Sequence, residues 1–468
     1  MTSKELFDRV KEKAIDFGMK EKGIRGANAI VRENLECQAF SDGKAFFGFI
    51  RIEEENSGVY SDFSFVVFPD NCEHVENCVI CLGVGSQGFK NDFQLALRPG
   101  IRRHFIQLAN EQSFFKSDFS DISDALMPLI DAIQDYPSLF PVIKRYENVL
   151  QAATIVNLEE EGSLDIIYRW LAIYAKVRKW DKNKKAKSNI QKALDGVGSG
   201  LNNQTASFQQ NEIKTLLENR RFVVLQGAPG TGKTWNAIQI AQNYNKKFFV
   251  QFHAETTYSD FIGGIQPALD NSPHNIKFKE KKGILCKALE YAKEHSEEKV
   301  LLIIDEINRA NLSNVLGPVF FLFENTASNR KKADVEIEVG GKTYEYIPEN
   351  LYVVATMNTA DRSLAVVDFA LRRRFAWYTL RPIILKTQNF DDETFKKFAD
   401  IFFEYATDNE LNLQPGQAYF MDKNQTQEKL KYELMPLIKE YIEEGYLTKA
   451  KDEFSDLFFK EANVLMYE

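Results

Sequence analysis

The stretch GAPGTGKT, residues 227–234, constrains the fold of this chain more than any other feature. It follows the apolar run FVVLQ (222–226) and precedes the helix-compatible WNAIQIAQNY, so strand, glycine-rich turn and helix N-terminus stand in order. That order is the one in which G-x-x-x-x-G-K-[ST] wraps phosphates with backbone N–H groups. Gly227, Gly230 and Gly232 let the backbone close on the phosphates. Lys233 reaches their β/γ oxygens, and Thr234 offers a hydroxyl to Mg2+. The nucleotide-binding set is Gly227, Ala228, Pro229, Gly230, Thr231, Gly232, Lys233 and Thr234, together with Trp235, which follows on the helix.

The surrounding pattern gives this loop an α/β core. FVVLQ, FFVQF (248–252), VLLIID (300–305) and LYVVATM (351–357) are short apolar runs separated by helical segments, as expected of parallel strands covered on both faces. VEIEVGGKTYEYI (335–347) interrupts the alternation with two segments around Gly340-Gly341, a hairpin with a primed turn. After Pro382 the chain reads as helical, broken by LQPGQAYF (413–420). Upstream, the amphipathic MTSKELFDRVKEKAIDFG and aromatic strands such as FFGFIRI (46–52) and FSFVVF (63–68) suggest an α+β module. DGVGSGLNNQTAS (195–207) follows the basic KVRKWDKNKKAK (176–187) and reads as a flexible linker after a solvated helix end. The expected domains are 1–195 (α+β), 196–207 (linker), 208–382 (nucleotide-binding core) and 383–468 (helical lid).

Bulk properties exclude some classes. With 468 residues, 44% of them apolar, the chain has enough material for two or three domains. Its net charge of −8 is not concentrated in either half, which excludes a general polycation; a DNA contact must come from a local patch. No apolar run approaches the roughly 18 residues of a membrane span, and the start has no apolar signal core. Five cysteines without a paired framework fit a reducing cytosol, so the expected location is cytoplasmic.

A phosphate loop that hydrolyses needs an acid to hold the metal and a group to activate water. LLIIDEINRAN (301–311) provides both at a strand end: Asp305 to hold Mg2+ through water, Glu306 to polarise the attacking water. Asn358, at the tip of the next strand, is placed to position that water or sense the γ-phosphate. Arg372, Arg373 and Arg374 follow a short helix later. A guanidinium stabilises the charge of a phosphoryl-transfer transition state. From that distance these arginines point away from their own loop, which predicts a ring whose sites are completed in trans. The plainer alternative is a basic helix end opposing its dipole.

These motifs, with FHAETTYSDFIGGIQP (252–267), DEINRAN (305–311), IPENLYVVATMNTADRSLAVVDFALRRRF (347–375) and QAYF (417–420), resemble the AAA+ domain of McrB-type restriction subunits over about residues 205–450. LKYELMPLIKEYIEEG (430–445) resembles that family's lid. The resemblance implies a hexameric ring that binds GTP with Mg2+, translocates DNA and is stimulated by an McrC-type partner carrying the nuclease. It places Asn358 and Asp361 in a signature loop acting on hydrolysis, makes Arg372 and Arg373 the trans-acting candidates, and sets Arg309 and Arg362 toward a subunit interface. No N-K-x-D element is present to read guanine, so GTP rests on the resemblance and ATP is the alternative.

In the first 195 residues, Gly83, Gly85 and Gly88 form G-x-G-x-x-G, but no helix and spaced acid follow, so a flexible turn is the reading. The stretch resembles, less closely, the N-terminal domains of McrB-type proteins, which implies recognition of modified double-stranded DNA. Arg98, Arg102, Arg103 and His104 form a local cationic cluster suited to phosphates, with Phe89, Phe93 and Phe105 near enough to stack on a base. A solvated basic edge over core aromatics is the alternative. Cys72, His74, Cys78 and Cys81 invite a zinc reading, yet strand alternation sends Cys78 and Cys81 to opposite faces, which favours buried thiols. No nuclease constellation stands out. Two other functions fit the motifs: an ATP-dependent protein-remodelling enzyme resembling the MoxR chaperones, and a nucleotide-gated DNA-binding switch.

Overall fold

The computed structural model describes residues 1–35, 45–51, 63–83, 95, 98–195, 206–269, 276–323, 337–339, 342–360 and 369–467. Two compact units emerge: Met1–Gly200 with Phe403–Ala406, and Leu201–Phe402 with Thr407–Glu468.

The first unit is built on β1 (Ala29–Asn34), β2 (Phe46–Arg51), β3 (Ser64–Pro69), β4 (Asn77–Gly83), β5 (Ser113–Phe115) and β6 (Leu150–Asn157). They form a six-stranded sheet in the order β1-β2-β3-β4-β6-β5, with every pair antiparallel. Alternation along the strands divides two cores. Phe65, Val67, Cys78, Ile80 and Leu82 face helices Ser3–Asp16 and Ser163–Val177. Val66, Phe68, Val79 and Cys81 face helices Met127–Ala132 and Phe140–Arg145. Helix Ser3–Asp16 starts from a capping box, in which Thr2 Oγ1 accepts from Glu5 N at 3.1 Å and Glu5 accepts from Thr2 N at 2.9 Å.

Cys78 and Cys81 therefore lie on opposite faces, as alternation requires, and burial pushes both thiols far up, out of reach of thiolate chemistry. The expectation of unpaired thiols needs one correction: Cys72 is disulfide-bonded. Gly83 ends β4; Gly85 and Gly88 lie outside the described residues.

The second unit begins with helix Ala206–Arg220 and contains β7 (Phe222–Gly227), β8 (Lys246–Gln251), β9 (Gly263–Leu269), β10 (Ile276–Lys282), β11 (Val300–Asp305), β12 (Ile337–Val339), β13 (Lys342–Tyr344), β14 (Leu351–Asn358) and β15 (Ala376–Thr379). Five of them make a wholly parallel sheet, order β15-β7-β14-β11-β8. Its inner strands are buried on both sides: Phe222, Val224, Leu302, Ile304, Val353 and Ala355 enter one core, while Val223, Leu225, Leu301, Ile303 and Val354 enter the other. β8 departs from that pattern. It is an edge strand, and Phe249 is 50% exposed.

β12 and β13 pair as the expected hairpin, Val339 against Lys342; Gly340-Gly341 lie outside the described residues. A second hairpin, β9 with β10, was not foreseen from the sequence. The helical lid holds helices Asp392–Tyr405, Met435–Glu443 and Lys451–Ala462 around Phe395, Phe398, Phe420, Phe454 and Phe458. A π-turn at Leu430–Leu434 precedes Pro436, whose nitrogen cannot donate to the preceding turn. No helix among the described residues is long and apolar enough to cross a membrane.

Candidate active site

Because β7, β14 and β11 are parallel, their C-terminal ends reach the same edge of the sheet. Asn358 pairs in register with Gly227, and Ile304 with Ala355, so Asp305 arrives beside Thr356. The loop after β7 turns through Gly230 (φ 76°) and Gly232 (φ 85°), both left-handed, and Gly232 caps helix Lys233–Ala241. Thr231 Oγ1 closes the turn by donating to Ala228 O at 2.8 Å.

Lys233 lies under this loop, its Nζ 3.0 Å from Gly227 O and 2.9 Å from Ala228 O. Burial pulls its ammonium down to about 8, against the opposing pull of Glu306 and Asp305. Thr234 Oγ1 donates to Asp305 Oδ1 at 2.8 Å, so the predicted metal hydroxyl and metal carboxylate meet. Thr356 donates to the same oxygen at 2.7 Å and accepts from Glu306 N at 3.0 Å. Sequence reading missed Thr356; its only signal is one hydroxyl within an apolar strand.

Glu306 is left-handed (φ 54°), a conformation uncommon outside glycine. Its Oε2 is buried and accepts no hydrogen bond, while Arg309 Nε stands 3.5 Å away. A carboxylate oxygen held this way keeps its lone pairs uncommitted to any hydrogen bond. Asn308 Nδ2 donates to Asn358 O at 3.2 Å, and Asn358 Oδ1 accepts from Ala360 N at 3.2 Å. Asp361 and Arg362 lie outside the described residues. The set fits a magnesium–nucleotide: a hydroxyl and a carboxylate converge for the metal, and a helix N-terminus and ammonium face the phosphates.

The other predicted residues have different surroundings. Trp235 is 52% exposed on the first helical turn. Arg372 and Arg373 are exposed in the last turn of helix Phe369–Arg374, with the Arg372 guanidinium 5.2 Å from the Trp377 ring centre. Arg374 is half-buried over Phe320, at 5.5 Å. In the first unit, Arg98 precedes helix Pro99–Ile106, which carries Arg102, Arg103 and His104. None of the four is open: the arginines are half-buried, His104 is buried, and Arg102 Nε donates to Lys116 O at 2.7 Å. Phe105 is fully buried in the core, so its ring has no face for a base; Phe89 and Phe93 lie outside the described residues.

The parallel sheet, its phosphate loop and the acid pair at the end of β11, one strand removed from the loop's own, define an AAA+ nucleotide-hydrolysing domain. Residues 222–375 match the AAA domain of the dynein-related subfamily. Over 202 residues the chain is 39% identical to the type IV methyl-directed restriction enzyme EcoKMcrB subunit of Escherichia coli (strain K12), covering 40% of this chain and 41% of that protein. It is 25% identical over 202 residues to the type II restriction enzyme BsuMI component YdiS of Bacillus subtilis (strain 168), covering 35% and 57%. Among solved structures, NtrX from Brucella abortus aligns at 12% identity and TM-score 0.27 over 54% of this chain and 55% of that one, too loosely to carry any argument. The chain thus spans 41% and 57% of the two curated relatives. Over those 202 residues it is similar to the McrB subunit.

Proposed function

We propose that this chain is the nucleotide-driven subunit of a modification-dependent restriction system. In this reading it assembles as a hexameric ring, hydrolyses GTP with Mg2+, and translocates DNA that an McrC-type partner cuts. One observation carries the hydrolytic half: Thr234 and Asp305 meet at 2.8 Å beside the hydrogen-bond-free oxygen of Glu306. The restriction setting is supported by the likeness to the methyl-directed Escherichia coli subunit.

Thr234 and Asp305 would hold the metal, Lys233 and the loop amides would neutralise the phosphates, and Glu306 would accept the proton of the attacking water. Asn358 and Asp361 shape the loop that positions this water. Arg372 and Arg373, both exposed, supply guanidinium groups to the neighbouring subunit's phosphates. In this reading the first unit contacts modified DNA through surfaces other than Arg98, Arg102, Arg103 and His104, which are half-buried or buried.

The deciding experiment compares GTP and ATP hydrolysis side by side, with and without the protein encoded next door. Faster GTP turnover, raised by the partner, is expected. ATP turnover indifferent to any partner would overturn this function in favour of a remodelling ATPase. A mixing test addresses assembly. Glu306→Gln subunits combined with Arg372/Arg373 double variants should regain hydrolysis; no recovery at any ratio means sites completed within one chain.

A further inference from the structure

The lid segment Gly416–Tyr419 makes a set of contacts that the hydrolytic reading does not use. Gly416 N donates to Pro229 O at 2.8 Å, and Ala418 N donates to Gly230 O at 3.0 Å. Between them Gln417, 7% exposed, donates from Nε2 to Thr231 O at 3.0 Å, while its Oε1 accepts from Ile383 N at 3.3 Å. Three successive carbonyls of the phosphate loop are therefore held by one short segment of the lid.

Two glycines make the approach close. A Cβ on Gly416 would stand 2.3 Å from the carbonyl carbon and oxygen of Gly230 and from Thr231 N. One on Gly230 would stand 2.8 Å from the Tyr419 ring.

A trans peptide plane carries its C=O and the next N–H in opposite directions. Holding the carbonyls of Pro229, Gly230 and Thr231 from outside thus fixes the directions of the Gly230, Thr231 and Gly232 N–H groups. These are the amides a phosphate loop turns toward its anion. The lid offers no guanidinium to the phosphates: the chain contains no arginine after Arg381.

We infer that Gln417 is a positioning residue. With the backbone of Gly416 and Ala418, it aims three amide dipoles of the phosphate loop and links nucleotide affinity to the seating of the lid. The inference deepens the nucleotide-site reading and rests on it. Through its second bond, to Ile383, the same side chain also ties this seating to the connection that leaves β15.

Fluorescently labelled GTP and ATP titrated against the full chain provide the test. Gln417→Ala should weaken binding about tenfold, the loss of one well-placed buried hydrogen bond and its partner. Gly416→Ala should weaken it about a hundredfold, because the added Cβ lifts the whole segment off the loop. For Gln417→Ala the expected kinetic signature is a raised KM, with kcat at saturation within about threefold. The melting midpoint of nucleotide-free protein should stay within about 3 °C of wild type. Should Gln417→Ala fail to fold, Gln417→Met, which keeps the side chain's length, carries the same expectation. Affinities within twofold of wild type in the Gln417 and Gly416 variants overturn the inference. So does a lowered midpoint with unchanged affinity, which would make the segment a structural clip. Failure of the wild-type chain to bind either nucleotide would instead overturn the reading of the loop itself.

Discussion

The two sheets of this molecule are assembled from similar aromatic and β-branched strands, yet they concentrate chemistry very differently. In the parallel sheet of the second unit, β7, β11 and β14 all end at one edge, which brings Gly227, Asp305 and Asn358 together. In the antiparallel sheet of the first unit, successive strands end at opposite edges, and the polar group that gathers beside one of them, His74, Glu76 and Glu159, is exposed. Parallel pairing gathers loops on one side, and ligands bind at such edges. Antiparallel pairing with two covered faces makes a rigid support. Function on such a support must sit in loops and edges.

That comparison breaks most directly at Lys233. Lys233→Ala should abolish nucleotide binding, measured by titration with labelled nucleotide, while leaving the antiparallel unit folded by circular dichroism. Retained binding would mean that the convergent edge is not the site. Glu306→Gln should keep nucleotide affinity and slow single-turnover hydrolysis by about 10²- to 10³-fold, the range of a lost general base.

The opposite experiment targets the support. Phe65, fully buried, lies 6.1 Å from the Phe49 ring and 5.8 Å from Tyr174. Phe65→Ala should cost about 3–5 kcal/mol of stability in denaturant unfolding of the first unit. Nucleotide affinity should not change; a coupled loss would show that the units do not act separately.

The smallest effect concerns Glu290, which accepts from Lys282 at 2.5 Å, Tyr344 at 2.8 Å and Lys342 at 3.2 Å, tying both hairpins to helix Ile284–Glu294. Burial pushes its carboxyl up, but those bonds outweigh it and hold the group at about 2, below its ordinary 4.5. A depressed folded value contributes stability above the ordinary carboxylate range and loses it as pH falls toward 2. Glu290→Gln should therefore melt a few degrees below wild type at pH 7, and the gap should close between pH 4.5 and 2. A gap independent of pH would assign the cluster to packing alone.

Local order carried much of this structure into the sequence. The phosphate loop was legible because its glycines, lysine and threonine are contiguous, and its flanks specify strand and helix by composition. Asp305 and Glu306 were legible because an acidic pair closes an apolar run. Thr356 was not: its proximity to Asp305 depends on the register between β11 and β14, which no local pattern encodes. The β9–β10 hairpin escaped for another reason. Its strands carry lysines, glycines and a proline with one β-branched residue each, so propensity points away from the pairing that forms. The half-buried setting of Arg102 and the burial of Phe105 are likewise consequences of which helix face meets the core.

By itself, the amino-acid order determined that this protein has a phosphate-binding strand–loop–helix, a second strand tipped with acids and a parallel core to carry both. Each is set by residues within a few positions of one another, where torsional preference and hydrophobic periodicity act. Only the tertiary structure decided which distant groups meet: Thr234 with Asp305, Thr356 with both acid residues, and Gln417 of the lid with the carbonyls of the loop. Those meetings follow from strand register and the close approach of two glycines, quantities that exist only once the chain has packed.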